Sequence, residues 1–168
     1  PLKLAFGYIR KARALGVKLA TVQTLGGAAM MKAAVEAGGD AIALVGVTVL
    51  TSHDADSYAS AVGRREVDLD DEVGRLAMSA MEAGLAGVVC SPREVALVRS
   101  RLVAGSLIVV PGIRRRRDAR GDQVRVASAA EAVAAGATHL VVGRPVIQAA
   151  DPAVAYAEFL EEMQCVGS

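Results

Sequence analysis

Gly143-Arg144-Pro145 follows the aliphatic run Leu140-Val141-Val142. Glycine lets a backbone approach a ligand closely. Proline can open a helix, whose unpaired N–H groups and dipole attract an anion. Arginine adds a forked cation matched to phosphate oxygens. These three residue types in this order suit a phosphate grip. A plain strand-to-helix turn with a solvated arginine accounts for them equally well, and local sequence does not choose between the two.

A second strand end reads Pro111-Gly112-Ile113-Arg114, and Arg114 to Arg120 holds five arginines ahead of Gly121-Asp122-Gln123. Such a run is an ordinary solvated loop, or a loop that closes over an anionic ligand. No aromatics interleave it and the net charge is +1, so nucleic-acid binding is not expected. Val47-Thr48-Val49-Leu50-Thr51-Ser52-His53 ends another run in hydroxyls. Thr51 or Ser52 suits the polar edge of a ligand, or simply a strand end or helix cap. The two histidines, His53 and His139, read as a loop residue and a structural residue. No Ser-His-Asp or metal-ligand constellation is visible.

Elements that would position these residues follow a repeated pattern, in which a helical segment closes at a glycine and a short aliphatic run follows. Gly16 precedes Leu19-Ala20-Thr21-Val22, and Gly38-Gly39 precede Ala41-Ile42-Ala43-Leu44-Val45. Gly84, Gly105 and Gly136 likewise precede Gly87-Val88-Val89-Cys90, Leu107-Ile108-Val109-Val110 and His139-Leu140-Val141-Val142. Glycine suits the left-handed residue that ends a helix, and the runs have strand length. Helix starts are legible at Ser91-Pro92-Arg93-Glu94, Ser128-Ala129-Ala130-Glu131 and Asp151-Pro152, with Asp70 or Asp71 expected to cap a helix running to Ala83. The last helix carries Val154, Phe159 and Met163 among polar residues.

Strict alternation of helix and strand implies an α/β fold with parallel strands and right-handed crossovers. An open doubly wound sheet and a (β/α) barrel both satisfy it. Five strands are clear, and Leu2-Lys3-Leu4-Ala5-Phe6 is a candidate sixth. An eight-stranded barrel takes about 250 residues, or roughly 200 when compact, so 168 residues make a barrel incomplete on its N-terminal side.

With 53% hydrophobic and 22% charged residues the chain reads as one soluble globular domain over 1–168. Only 3% are aromatic, so the core must be aliphatic, as buried parallel strands require. Cys90 and Cys165 form no metal pattern and read as reduced thiols. No basic-then-apolar leader and no membrane-length apolar run is present, so a cytoplasmic location is expected.

Taken together, Leu25-Gly26-Gly27 with Ala29-Met30-Met31, Val47 to Ser52, Gly87 to Ser91, Pro111 to Arg114, Gly121 to Val126, and Val141 to Pro145 with Gln148 to Pro152 form a specific series. In this order they resemble the bacterial orotidine 5′-monophosphate decarboxylase family, from about Leu15 to Glu162. The resemblance implies a TIM-type (β/α) barrel contributing its C-terminal five to six βα units, with no cofactor. It implies decarboxylation of orotidine 5′-monophosphate to uridine 5′-monophosphate in pyrimidine biosynthesis, by a homodimer. Thr51 would contact the pyrimidine. Arg114, Gly143 and Arg144 would hold the 5′-phosphate, and Gln123 would bridge phosphate and base.

The family reacts through a charged Asp-Lys-Asp array around the carbon that loses CO2, which is electrostatic preorganisation. That Asp-x-Lys-x-x-Asp segment does not occur in this sequence. Pro1-Leu2-Lys3 is a weak remnant of it, or Leu2 to Gly7 corresponds to the family's second strand, which leaves Lys3 as the sole catalytic candidate. Gln23 stands where the family has histidine. Catalysis by these residues alone is therefore expected to be poor. A non-catalytic nucleotide-phosphate-binding fragment and a sister sugar-phosphate decarboxylase barrel are the alternatives.

Overall fold

A computed structural model describes residues 2–115 and 125–164. Helix α1 (Leu2–Ala14) leads to β1 (Leu19–Gln23), α2 (Ala28–Gly38), β2 (Ala43–Val47), α3 (Ala55–Ala61) and α4 (Leu69–Glu82). Then come β3 (Gly87–Val89), α5 (Val95–Arg101), β4 (Leu107–Val110), α6 (Ala129–Ala134), β5 (His139–Leu140), α7 (Arg144–Ile147) and α8 (Pro152–Gln164).

The five strands form one parallel sheet in the order β1-β2-β3-β4-β5. Each strand pairs with the next in sequence. A doubly wound sheet reverses direction partway, and this one does not. Right-handed crossovers that step always the same way put every helix on one face, the geometry of a barrel wall. Among the described residues the wall is open, with β1 and β5 as its edges.

Register sorts the side chains. Val22, Gly46, Val88 and Ile108 lie in one row across the sheet. They face the helices, where Val88 and Ile108 join a single aliphatic core running from Ile9 in α1 to Phe159 in α8. The opposite face carries Thr21, Val45, Gly87 and Leu107 in one row, with Gln23 and His139 at the edges. Val45 and Val109 are buried there, whereas Gln23 and His139 are exposed.

Helix-closing glycines behave as the pattern predicts. Gly16, Gly39, Gly84, Gly105 and Gly136 all have positive φ. At Gly84 the reason is visible: its N–H donates to Met81 O at 2.9 Å, and Leu85 N–H reaches back to Ala80 O at 3.1 Å. This wrap of the last turn needs a left-handed residue.

Several expectations are corrected. The candidate strand Leu2–Phe6 is the first part of α1. Its burial has helical spacing, since Ile9 and Ala12 are buried and Phe6 packs beside them, against α2. β2 begins two residues late because Gly39–Ala41 turns as a 3-10 helix. Asp68, not Asp70 or Asp71, caps α4, accepting from both of their N–H groups at 2.9 and 3.2 Å. In α8, Phe159 is buried but Val154 is exposed.

Helices α3 and α4 are joined by a polar knot. Tyr58 donates to Glu72 at 3.0 Å, and Arg75 binds the same carboxylate through two nitrogens at 2.7 and 3.0 Å. Arg64 adds a longer contact at 3.4 Å. The Arg75 hydrogen bonds hold the Glu72 carboxyl below its ordinary range, against the effect of burial. Burial, followed by the bond to Glu72, pushes the Tyr58 phenol up to about 12.

Two tests follow from the packing. A Cβ on Gly87 would run into the Leu107 backbone, which cannot swing aside. Gly87→Ala is expected to cost about 1–3 kcal/mol, read as a lower thermal midpoint. The Tyr58 phenol is neutral in the fold, so its contribution is complete below its ordinary pKa of 10.0 and is lost as pH rises towards about 12. Tyr58→Phe should lose about 0.5–1.5 kcal/mol at neutral pH. The gap from wild type should shrink through this alkaline window in pH-dependent denaturant unfolding.

Candidate functional site

All strands point the same way, so the segments leaving their C-terminal ends meet on one rim. Thr51 follows β2 and is buried, at 7% exposure. Beneath it Thr48 ties β2 to β3, its backbone N–H and its hydroxyl both donating to Val89 O. Ser52 is exposed.

Arg114 follows β4 and is also buried, at 9% exposure. Gly112 has a φ of +80, which turns the chain sharply after Pro111. Ile113 then pairs in parallel with Ala127, and Arg114 N–H donates to Ala127 O at 3.0 Å. The Arg114 guanidinium donates to Ile113 O at 2.7 Å.

Gly143 and Arg144 follow β5, directly beside the β4 end, and Val141 N–H reaches Val110 O at 2.9 Å. Arg144 opens α7 with Pro145 in its first turn, as the sequence suggests. Gly143 precedes α7 with φ −106 and ψ −99, and a Cβ there would meet nothing. What glycine leaves at this position is open space on the rim. Helix α7 is a single turn, and Val146 and Ile147 N–H already bond to Gly143 O. The anion attraction of a long helix is therefore small here, and charge on this part of the rim must come from arginine side chains.

Arg115 is used structurally. It bonds Glu158 at 2.6 Å and Pro145 O at 3.1 Å, and its guanidinium lies 5.5 Å from the Phe159 ring centroid. This clamps α7 and α8 to the loop after β4. Lys3 lies exposed in the first turn of α1, a helix that packs on α2. The strand that would have carried it into a barrel interior is not formed. Gln123 lies outside the described residues. His53 contacts Ser57 at 3.3 Å beside the α3 cap, and His139 contacts Thr138 at 3.0 Å. Among the described residues no group of three His, Cys, Asp or Glu side chains gathers to hold a metal.

The structure adds a group that the motifs did not single out. Arg125 and Glu94, each under 5% exposed, form a buried ion pair. Arg125 also donates to Leu50 O at 2.8 Å and reaches Val49 O at 3.4 Å. Glu94 accepts from Ser91 N–H at 2.8 Å with its other oxygen. Burial, and then the neighbouring Arg93 charge, works against ionisation of Arg125. A guanidinium nevertheless stays charged in proteins, and Glu94 supplies the counter-charge. Glu94 reads in sequence only as a helix-cap residue, and Arg125 only as part of a motif. The one available signal was a lone arginine between two valines.

Fold and rim together define a sector of a (β/α) barrel whose strand ends gather a hydroxyl and two arginines. The sequence profile of the orotidine 5′-phosphate decarboxylase / HUMPS family matches residues 3–159. The chain belongs to that family. It is 52% identical over 164 residues to the orotidine 5′-phosphate decarboxylase of Alkalilimnicola ehrlichii, covering 94% of this chain and 67% of the relative. It is 51% identical over 149 residues to that of an Anaeromyxobacter species, covering 89% and 65%. The crystal structure of orotidine 5′-phosphate decarboxylase from Lactobacillus acidophilus superposes with a TM-score of 0.81 at 31% identity, covering 96% of this chain and 70% of the other. The chain thus spans about two thirds of the length of these relatives.

Cys90 sits at the end of β3, 1% exposed. Burial pushes its thiol up to about 12, with Arg125 opposing. A thiol so protonated is a poor nucleophile. Iodoacetamide near neutral pH should leave Cys90 unmodified in the native protein and alkylate it after unfolding, as read by peptide mass mapping.

Proposed function

We propose that this chain forms the substrate-holding rim of an orotidine 5′-monophosphate decarboxylase, the enzyme that converts orotidine 5′-monophosphate to uridine 5′-monophosphate and CO2. The observation that carries the reading is the placement of Thr51, Arg114, Gly143 and Arg144 on one rim, in a chain of this family. Arg114 and Arg144 leave adjacent strands and form the phosphate end, with Gly143 giving the phosphate room. Thr51, two strands away from Arg114, forms the pyrimidine end. Gln123 is assigned to bridge the two. The reading includes a homodimer, for which the exposed apolar residues Leu4, Tyr8 and Leu15 of the α1 region offer surface to a second chain.

One observation favours a second, non-catalytic reading for these residues taken alone. Remote binding of a phosphate speeds a reaction only when groups at the reacting carbon use that binding energy in the transition state. The Asp-Lys-Asp array that does so in the family does not occur in this sequence. Nucleotide binding is then retained while turnover is slow.

Titration with uridine 5′-monophosphate by calorimetry tests the shared part of both readings. Arg144→Ala should weaken binding by about tenfold or more, the scale of one charge-assisted phosphate contact. No binding by the wild-type chain would sink both. Loss of orotate absorbance on mixing with orotidine 5′-monophosphate separates the catalytic reading from the non-catalytic one.

A further inference from the structure

We propose that the buried Arg125–Glu94 pair is a spacer that fixes the distance between the phosphate end and the pyrimidine end of the site. The inference rests on the assignment of those two ends made above.

Three strand ends converge on this pair. Arg125 grips the segment after β2 through the Leu50 and Val49 carbonyls, one and two residues before Thr51. Glu94 belongs to the turn after β3 and holds that turn closed through Ser91 N–H. Two residues beyond Arg125, Ala127 pairs with Ile113 and accepts from Arg114 N–H, after β4. The chain from Arg125 to Ala127 therefore spans from the backbone under Thr51 to the backbone of Arg114. Neither charge of the pair points to solvent, since Arg125 and Glu94 are 4% and 3% exposed.

A buried ion pair is a poor stabiliser compared with apolar packing of the same volume, because both ions lose their hydration. Its use lies in directionality. The guanidinium presents several donors in a fixed plane, so it sets the carboxylate and the Val49 and Leu50 carbonyls after β2 at fixed angles to one another. Aliphatic side chains at this place would fill the volume and leave the spacing free to drift. A ligand that reaches both ends of the site senses such drift, whereas a ligand that occupies one end does not. Arg125 and Glu94 are thus positioning residues that act through Thr51 and Arg114.

The test compares a ligand that spans the site with one that does not: uridine 5′-monophosphate and ribose 5-phosphate, each titrated by calorimetry. Arg125→Lys is the first variant. It keeps the buried charge but loses the fork that serves Glu94 and Leu50 O together. The double variant Glu94→Gln/Arg125→Met removes both charges, so neither is left buried without a partner. In each folded variant, uridine 5′-monophosphate should bind about tenfold or more weakly, while ribose 5-phosphate stays within about twofold of wild type. Equal losses for both ligands, or no loss for either, would overturn the spacer. Loss of the fold in both variants would also overturn it, because it would make the pair a support of the fold rather than of the spacing. A wild-type chain that binds ribose 5-phosphate but gains nothing from the uracil base fails at the pyrimidine assignment. That outcome removes the spacer together with the reading beneath it.

Discussion

The arrangement depends on one constraint: each strand pairs in parallel with its successor in sequence. A parallel neighbour requires the chain to return along the outside, and a helix is the economical way back. Repetition in one direction gives a wall with helices on one face. It also sends every strand end to the same rim, so residues far apart in sequence become neighbours there. Thr51, Arg114 and Arg144 follow β2, β4 and β5 and lie on one rim for this reason alone.

Two polar networks of opposite character serve this frame. The Tyr58–Glu72–Arg75 knot is local, joining two successive helices, and its arginines are more than half exposed. Solvent screens it, and it acts as a clasp between α3 and α4. The Arg125–Glu94 pair is almost fully buried and links segments 31 residues apart. It lies where the aliphatic strands end, and there it must replace with directed bonds what the core provides elsewhere by close packing. The Arg115–Glu158 contact does a similar task for α7 and α8 at the edge of the sheet.

Much of this was legible in sequence where the governing interaction is local. Glycine-closed helices and aliphatic runs locate the five strands among the described residues, because a left-handed closing residue and a buried strand each leave a compositional trace. Errors arose where tertiary contact decides. Leu2 to Phe6 alternates like a strand, but the apolar spacing that matters continues through Ile9 and Ala12 and is helical. Four acidic positions lie near the start of α4, and composition alone does not reveal that Asp68 has the extended backbone of a cap. The positions of Thr51, Arg114, Gly143 and Arg144 after strand ends are legible from the alternation of elements. The Arg125–Glu94 pair is not, since nothing within a few residues of either partner announces the other.

Among the described residues the two flanks of the sheet differ. A strand at the edge presents backbone donors and acceptors on one flank, and these can recruit further strands. The edges here are unequal, with five residues in β1 against two in β5. Leu19-Ala20-Thr21-Val22-Gln23 contains neither charge nor proline, the usual means of making an edge unattractive. Among the described residues the β1 flank, opposite the phosphate end, is thus where a further parallel strand of a (β/α) barrel wall would pair most readily.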